Sequence, residues 1–286
     1  MTLPYRVQRK SYHTPHFIFG VSMSIITKHH GTMEYLAAEG ISVPHAFTTR
    51  RGGVSVGVLS SLNIALHRGD REKNVAENYR RLGAALGFSE MVLSHQTHSD
   101  IVRAVTRADC RGIDHHEYPE CDGLVTNDPG LALVVFTADC TPILLHDPVT
   151  GAVGAVHAGW RGTASGIAAK AAMCMCDTYG CRPEDIRAAI GPNIGFCCFE
   201  TDEDVPRAMV ESYGDAAEKW IRQAGHKYYV NLKEMNALAL QNAGVDKIEI
   251  SQACTMCQPD RFWSHRVTRG QRGSQGAIIV CQGENR

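Results

Sequence analysis

The 286-residue chain has no apolar segment reaching the roughly 18 residues that a transmembrane helix requires. It also lacks a surplus of either charge: 29 Lys+Arg against 30 Asp+Glu give a formal net charge of -1. Nucleic-acid binding usually leaves a basic surplus, so no such partner is expected. A phosphorylated small molecule stays compatible, because two or three clustered arginines barely move the total. Internal repeats, low-complexity tracts and linker-like segments are missing too. These absences leave a single globular domain with no membrane partner.

A secretion signal is imitated but not completed. Arg6, Arg9 and Lys10 precede the run from Phe17 to Ile26, yet Gly20, Ser22 and Ser24 break it. Lys28-His29-His30 then stands where a small-residue cleavage site belongs. Residues 1–24 are expected to be a poorly ordered extension ahead of one domain over 25–286.

Cysteine, by contrast, is plentiful: there are 11, an odd number. Their contexts do not resemble a stapled framework. Cys174 and Cys176 fall in an alanine-rich stretch, while Cys140 and Cys281 end apolar runs. Free thiols of this kind behave as small core residues, which points to a reducing cytoplasm. Cys254-Thr-Met-Cys257 has the spacing of half a zinc ribbon or a redox pair, but no second CxxC accompanies it. A packing role is expected for it and for the adjacent Cys197-Cys198, which are poorly placed to grip one metal together.

Apolar periodicity maps the elements. Val75, Tyr79, Leu82 and Leu86 recur at helical spacing and Gly87 closes that helix. Short strands are expected at 45–49, 131–136, 143–145, 152–156, 186–190, 247–250 and 277–281. Helices fit 163–179, 202–213 and 231–243. Strands and helices mix without strict alternation, which favours an α+β sandwich with a mixed sheet over a doubly wound parallel sheet.

Three polar residues lie where apolar strands end or begin. Cys140 closes Thr137-Ala-Asp-Cys140, His157 opens His157-Ala-Gly-Trp-Arg-Gly162, and His98 ends Gln96-Thr-His98. Two imidazoles and a thiolate suit zinc, with a fourth position left for water. Their separation along the chain fits no compact zinc motif. On residue type alone each could equally be a satisfied core side chain.

The ordered set of segments carries more. Thr48-Thr-Arg-Arg-Gly-Gly-Val-Ser55, Ser61-Leu-Asn-Ile-Ala-Leu-His67 with Gly69-Asp70, and Cys121-Asp-Gly-Leu-Val125 accompany the three motifs above. Ile190-Gly-Pro-Asn-Ile194, Cys197-Cys-Phe-Glu200, Cys254-Thr255 and Phe262-Trp-Ser-His-Arg266 follow. Over residues 40–286 this resembles the laccase-domain, or YfiH-type, family, long labelled multicopper polyphenol oxidases. The resemblance implies a single mixed-sheet catalytic domain and a metal triad at His98, Cys140 and His157. It further implies purine nucleoside phosphorolysis of adenosine, inosine and S-methyl-5'-thioadenosine, with adenosine deamination as a second activity. Purine nucleosides and phosphate are then the partners and zinc the metal, with opportunistic copper possible.

Arg50 and Arg161, both in glycine-rich loops, are candidates to bind phosphate or merely to cap turns. Asn63, His67 and Asp70 match family segments and are expected to contact substrate. Phe199, Trp263 and His265 depart from the family's common residues, so the substrate rim is expected to differ there.

Three alternatives stay open. One is a metal-independent cysteine hydrolase or amidase of cell-wall peptides, with Cys140 as nucleophile and His157 as base. A second is a copper-dependent polyphenol oxidase, disfavoured because the 14 histidines include no HxH pair. A third is a non-enzymatic protein with a closed structural zinc.

Overall fold

In a computed structural model of the chain, residues 24–283 are described. The expectation of a poorly ordered extension therefore lies, except for Ser24, outside the described residues.

Two six-stranded mixed sheets form the body. The first runs in the order Ile25–His30, Met33–Ala38, His45–Thr48, Gln275–Val280, Leu131–Thr137 and Glu90–Leu93. Only its last pair is parallel. Leu131–Thr137 is buried at every residue, as its unbroken apolar run demands of a central strand. The second sheet runs Lys247–Ile250, Arg187–Ile190, Thr141–His146, Val153–Ala158, Gly123–Thr126 and Val102–Ala104. It is parallel at both edges and antiparallel between them.

Side-chain alternation in the second sheet builds two cores at once. Leu144, Val153, Ala155 and Ala189 join the first sheet's residues in one apolar cluster. Ile143, Leu145, Val156, Ala188 and Ile190 pack with Ile167, Ala171 and Met175 of helix Ile167–Tyr179 and with Leu240 of helix Leu232–Asn242. His157 shares its parity with Val153 and Ala155, so it faces the inter-sheet side. Val75, Tyr79, Leu82 and Leu86 are all buried in helix Glu72–Leu86, which Gly87 ends at φ 77. A small third sheet, Glu200–Thr201, Lys227–Val230 and Ile221–Ala224, has its own core around Met209, Val230 and Met235.

The single helix expected over 163–179 is two, Trp160–Ala164 and Ile167–Tyr179. Gly166 at φ 72 breaks it, in a conformation that other residues adopt at a cost. No described helix is long and apolar enough to cross a membrane.

Candidate metal centre

Cys140 lies where the chain leaves one sheet for the other. Only Ala138, Asp139 and Cys140 separate strand Leu131–Thr137 from strand Thr141–His146. So short a crossing forces Asp139 to φ 87, a region that non-glycine residues occupy only when held there. Its buried carboxylate accepts from Thr255 Oγ1 at 2.5 Å, Ser264 Oγ at 3.1 Å and the Arg266 amide at 2.7 Å. The thiol that follows is thereby fixed from the 255–266 loop.

His98 is likewise left-handed, at φ 60. The backbone N–H groups of Thr97, His98 and Ser99 converge on the Asp122 carboxylate at 3.1, 3.2 and 2.7 Å. Three successive amides wrapped around an anion hold that loop in its unusual turn. Asp122 is wholly buried, and it also accepts from Ser99 Oγ at 2.7 Å. Its remaining contact is to His157 Nδ1 at 2.6 Å. Because a carboxylate can only accept, Nδ1 carries the hydrogen, and in the neutral ring Nε2 keeps the lone pair that could bind a metal. One buried aspartate thus orients both histidines.

The three donor atoms of His98, Cys140 and His157 lie within 4.8 Å of one another. Cys140 Sγ is 3.8 Å from His98 Nε2, and the two imidazole rings stand 5.0 Å apart at 86°. Gly159 completes the fit, since a Cβ there would lie 2.8 Å from His98 Cδ2. Burial alone would push the Cys140 thiol up, but the charge and hydrogen bonds of His157 and His98 bring it well below the usual 9.0. Burial alone would lower His157, yet Cys140 and Asp122 together raise it above 6.5. A borderline-soft N₂S set with a carboxylate behind one imidazole fits zinc with an open position. The same pair, metal-free, is a thiolate beside an imidazolium.

A cleft of about 120 Å³ opens on this group, walled by Arg68, Gln96, His115, Phe136, Arg272 and Ser274. Gln96 is locked to the Phe136 backbone on both sides, donating to O and accepting from N. Arg272 is partly anchored through Nη1 to Gly273 O and Ser274 Oγ, but its buried Nε has no partner among the described residues. Arg68 is exposed and makes no hydrogen bond or ion pair among them. Neither arginine had any mark in the sequence beyond its charge.

The other residues singled out from sequence fall elsewhere. Arg50 stacks on Trp263 at 3.9 Å and spends its guanidinium on the carbonyls of Ser60 and Pro259. Arg161 is exposed and lies over Trp160 at 4.3 Å. Asn63 is fully buried, bonded to Ala65, Asp70 and Ser274, and so shapes the cleft wall from behind. His67 and Asp70 line a separate, larger depression of about 820 Å³, where His67 meets Asp114 at 3.2 Å. Trp263 is 1% exposed and Phe199 9%, so neither forms a rim.

Residues 44–282 match the family described as multi-copper polyphenol oxidoreductase laccase. A Geobacillus stearothermophilus protein named purine nucleoside phosphorylase YlmD is 39% identical over 81% of this chain and 88% of its own length. A purine nucleoside phosphorylase of Deinococcus radiodurans is also 39% identical, over 85% and 91%. The crystal structure of YlmD from Geobacillus stearothermophilus superposes with a TM-score of 0.84 at 35% identity, covering 90% of this chain and 99% of that one. With the fold, the ordered motifs and the family model in agreement, the chain belongs to the laccase-type multi-copper polyphenol oxidoreductase family, the YfiH/YlmD group.

Proposed function

We propose that this chain is a purine nucleoside phosphorylase whose reaction centre is the His98, Cys140 and His157 group holding one zinc ion. Its substrates on this reading are adenosine, inosine and S-methyl-5'-thioadenosine with phosphate, and it deaminates adenosine as a second activity. The observation that carries the reading is the convergence of three oriented ligands on a cleft walled by two arginines without carboxylate partners. The names of relatives at 39% identity support the substrate class.

Zinc held there would supply Lewis acidity next to the bound substrate. The chain's own groups do the rest. Asp122 keeps His157 in the ligating tautomer, and Asp139 holds the backbone that presents Cys140. Arg68 and Arg272 bind phosphate through charge-assisted hydrogen bonds from their guanidinium groups on the cleft wall. Phe136 and His115, whose ring centroids lie 5.2 Å apart at 50° to each other, offer aromatic surface against which the purine packs.

Adenosine incubated with zinc-loaded protein should yield adenine only when phosphate is present, and inosine with or without it. If zinc-replete protein forms neither product, the reading fails. Arg272→Ala and Arg68→Ala should each raise KM for phosphate by about tenfold or more, the worth of a hydrogen bond to a charged group. Arg50→Ala should lower Tm and leave that KM nearly unchanged. Unaltered phosphate dependence in both cleft variants would put the phosphate elsewhere.

The oxidase reading needs several coppers. Among the described residues only two groups of three or more ligating side chains occur, and the second is made of cysteines alone. The triad offers three ligands and no fourth, unlike a closed structural zinc.

A further inference from the structure

We propose that Cys197, Cys198, Cys254 and Cys257 form a second metal site, a tetrathiolate zinc that is structural and independent of the His98, Cys140 and His157 centre. Their four sulfur atoms all lie within 4.8 Å of one another. Cys257 Sγ is 3.6 Å from Cys197 Sγ and 3.4 Å from Cys198 Sγ. Four sulfurs at the usual zinc–sulfur distance stand about 3.8 Å apart at the corners of a tetrahedron, so little movement is needed to close around an ion.

Two tight turns bring them together. In the first, the amides of Cys198 and Phe199 both return to Gly195 O at 2.9 Å, which turns two adjacent cysteines towards one point. Adjacency is the feature that makes the pair look unsuited to a shared metal in sequence, and this turn removes the obstacle. In the second, Cys254-Thr-Met-Cys257 closes with the Gln258 amide on Cys254 O at 3.1 Å. A bridge between Asn193 and Cys254 clamps the two turns face to face. Gly195 N donates to Cys254 Sγ at 3.1 Å, the kind of bond that stabilises a ligating thiolate. A side chain at Gly195 would crowd Cys254 and Cys197 at 3.1 to 3.3 Å.

Charge is also provided for. A zinc with four thiolates carries a net charge of about -2. The buried Lys233 ammonium donates to the carbonyls of Ser251 and Ala253, the latter next to Cys254. Soft sulfur ligands select zinc, copper(I) or iron–sulfur chemistry, and an isolated four-sulfur closed site suits zinc. All eleven cysteines are free thiols in the structure, so no disulfide competes for these four.

The site's task follows from its place. Thr255, between two of the ligands, donates to the Asp139 carboxylate that sets Cys140. Cys198 leads directly into the third sheet through Phe199. A metal here would tie that sheet and the loop behind Cys140 to each other.

The test is metal counting on full-length protein purified from zinc-replete culture. Wild type should hold two zinc ions per chain, and His98→Ala and Cys257→Ser one each. Cys257→Ser should also melt several degrees lower. Should Cys257→Ser fail to fold, thiol alkylation of the wild type decides: the exposed Cys197 and Cys257 should resist modification until a strong chelator is added. Cobalt substituted into His98→Ala should give the intense thiolate charge-transfer absorption of an S₄ site. The proposal is overturned if His98→Ala contains no metal and its Cys197 and Cys257 alkylate freely without chelator. It is equally overturned by an iron–sulfur chromophore, or by a Cys197–Cys257 or Cys198–Cys257 disulfide in freshly purified protein.

Discussion

Replacing Asp122 by asparagine should lower zinc affinity by about 10- to 100-fold and remove most activity while the protein stays folded. The reason is a count of donors. Three backbone amides, the Ser99 hydroxyl and His157 Nδ1–H all point at this one carboxylate. An asparagine offers one acceptor oxygen and sets an NH₂ against the remaining donors. His157 is then free to flip its tautomer and present a protonated Nε2 to the metal. Asp122→Ala is harsher, because it leaves every one of those donors buried and unpaired; a loss of about 3 kcal/mol of stability is expected.

The pH dependence carries the same signature. Burial would raise the Asp122 carboxyl, but His157 and Ser99 hold it below its ordinary 3.8. Its contribution to stability is therefore complete above 3.8 and is lost as the pH falls through the lowered value. Asp122→Asn should flatten the acid limb of a plot of Tm against pH. Wild-type zinc affinity by chelator competition, with an unchanged acid limb, would show that Asp122 is not the organiser.

Asp122 also shows what sequence could and could not reveal. Strands such as Leu131–Thr137 and Val153–Ala158 were legible because a doubly buried strand must be continuously apolar. The two candidate ligands near the ends of those strands, Cys140 and His157, are polar residues that interrupt such runs. His98 was legible only through its motif, since the turn that presents it depends on amides that any residue would supply. Asp122 lies in Cys121-Asp-Gly-Leu-Val125, but nothing local marks a carboxylate whose partners are 23 to 35 residues away. Arg50 shows the opposite dependence. A glycine-rich loop with an arginine reads as an anion cradle, but the cation–π stack on Trp263 that occupies it comes from a residue more than 200 positions later. The cysteine cluster was hidden in the same way, its two halves separated by about 60 residues.

Cys140→Asp and Cys140→His should each retain part of the zinc at the His98, Cys140 and His157 site and a measurable fraction of adenosine deamination, whereas Cys140→Ala should lose both that zinc and the activity. This is the outcome for a ligand, because carboxylate and imidazole also bind zinc, at altered length and charge. A nucleophile would behave otherwise, since covalent catalysis needs the sulfur itself and neither replacement could restore it. The contrast matters because the metal-free pair would suit a cysteine hydrolase. The thiol is lowered and the imidazole raised, so thiolate and imidazolium coexist over the interval between their shifted values. The raised imidazole adds stability that is complete below 6.5 and lost as the pH climbs through its folded value. The lowered thiol adds stability that is complete above 9.0 and lost as the pH falls through its folded value. Chelator-treated protein should accordingly be most stable at intermediate pH, and Cys140→Ala should lose that maximum. Binding zinc must displace the imidazolium proton, so uptake at neutral pH should release about one proton, measurable by calorimetry in buffers of different ionisation enthalpy. Full zinc occupancy of this site in Cys140→Ala, together with a covalent adduct trapped on wild-type Cys140 during turnover, would convert the ligand into a nucleophile and the phosphorylase into a hydrolase.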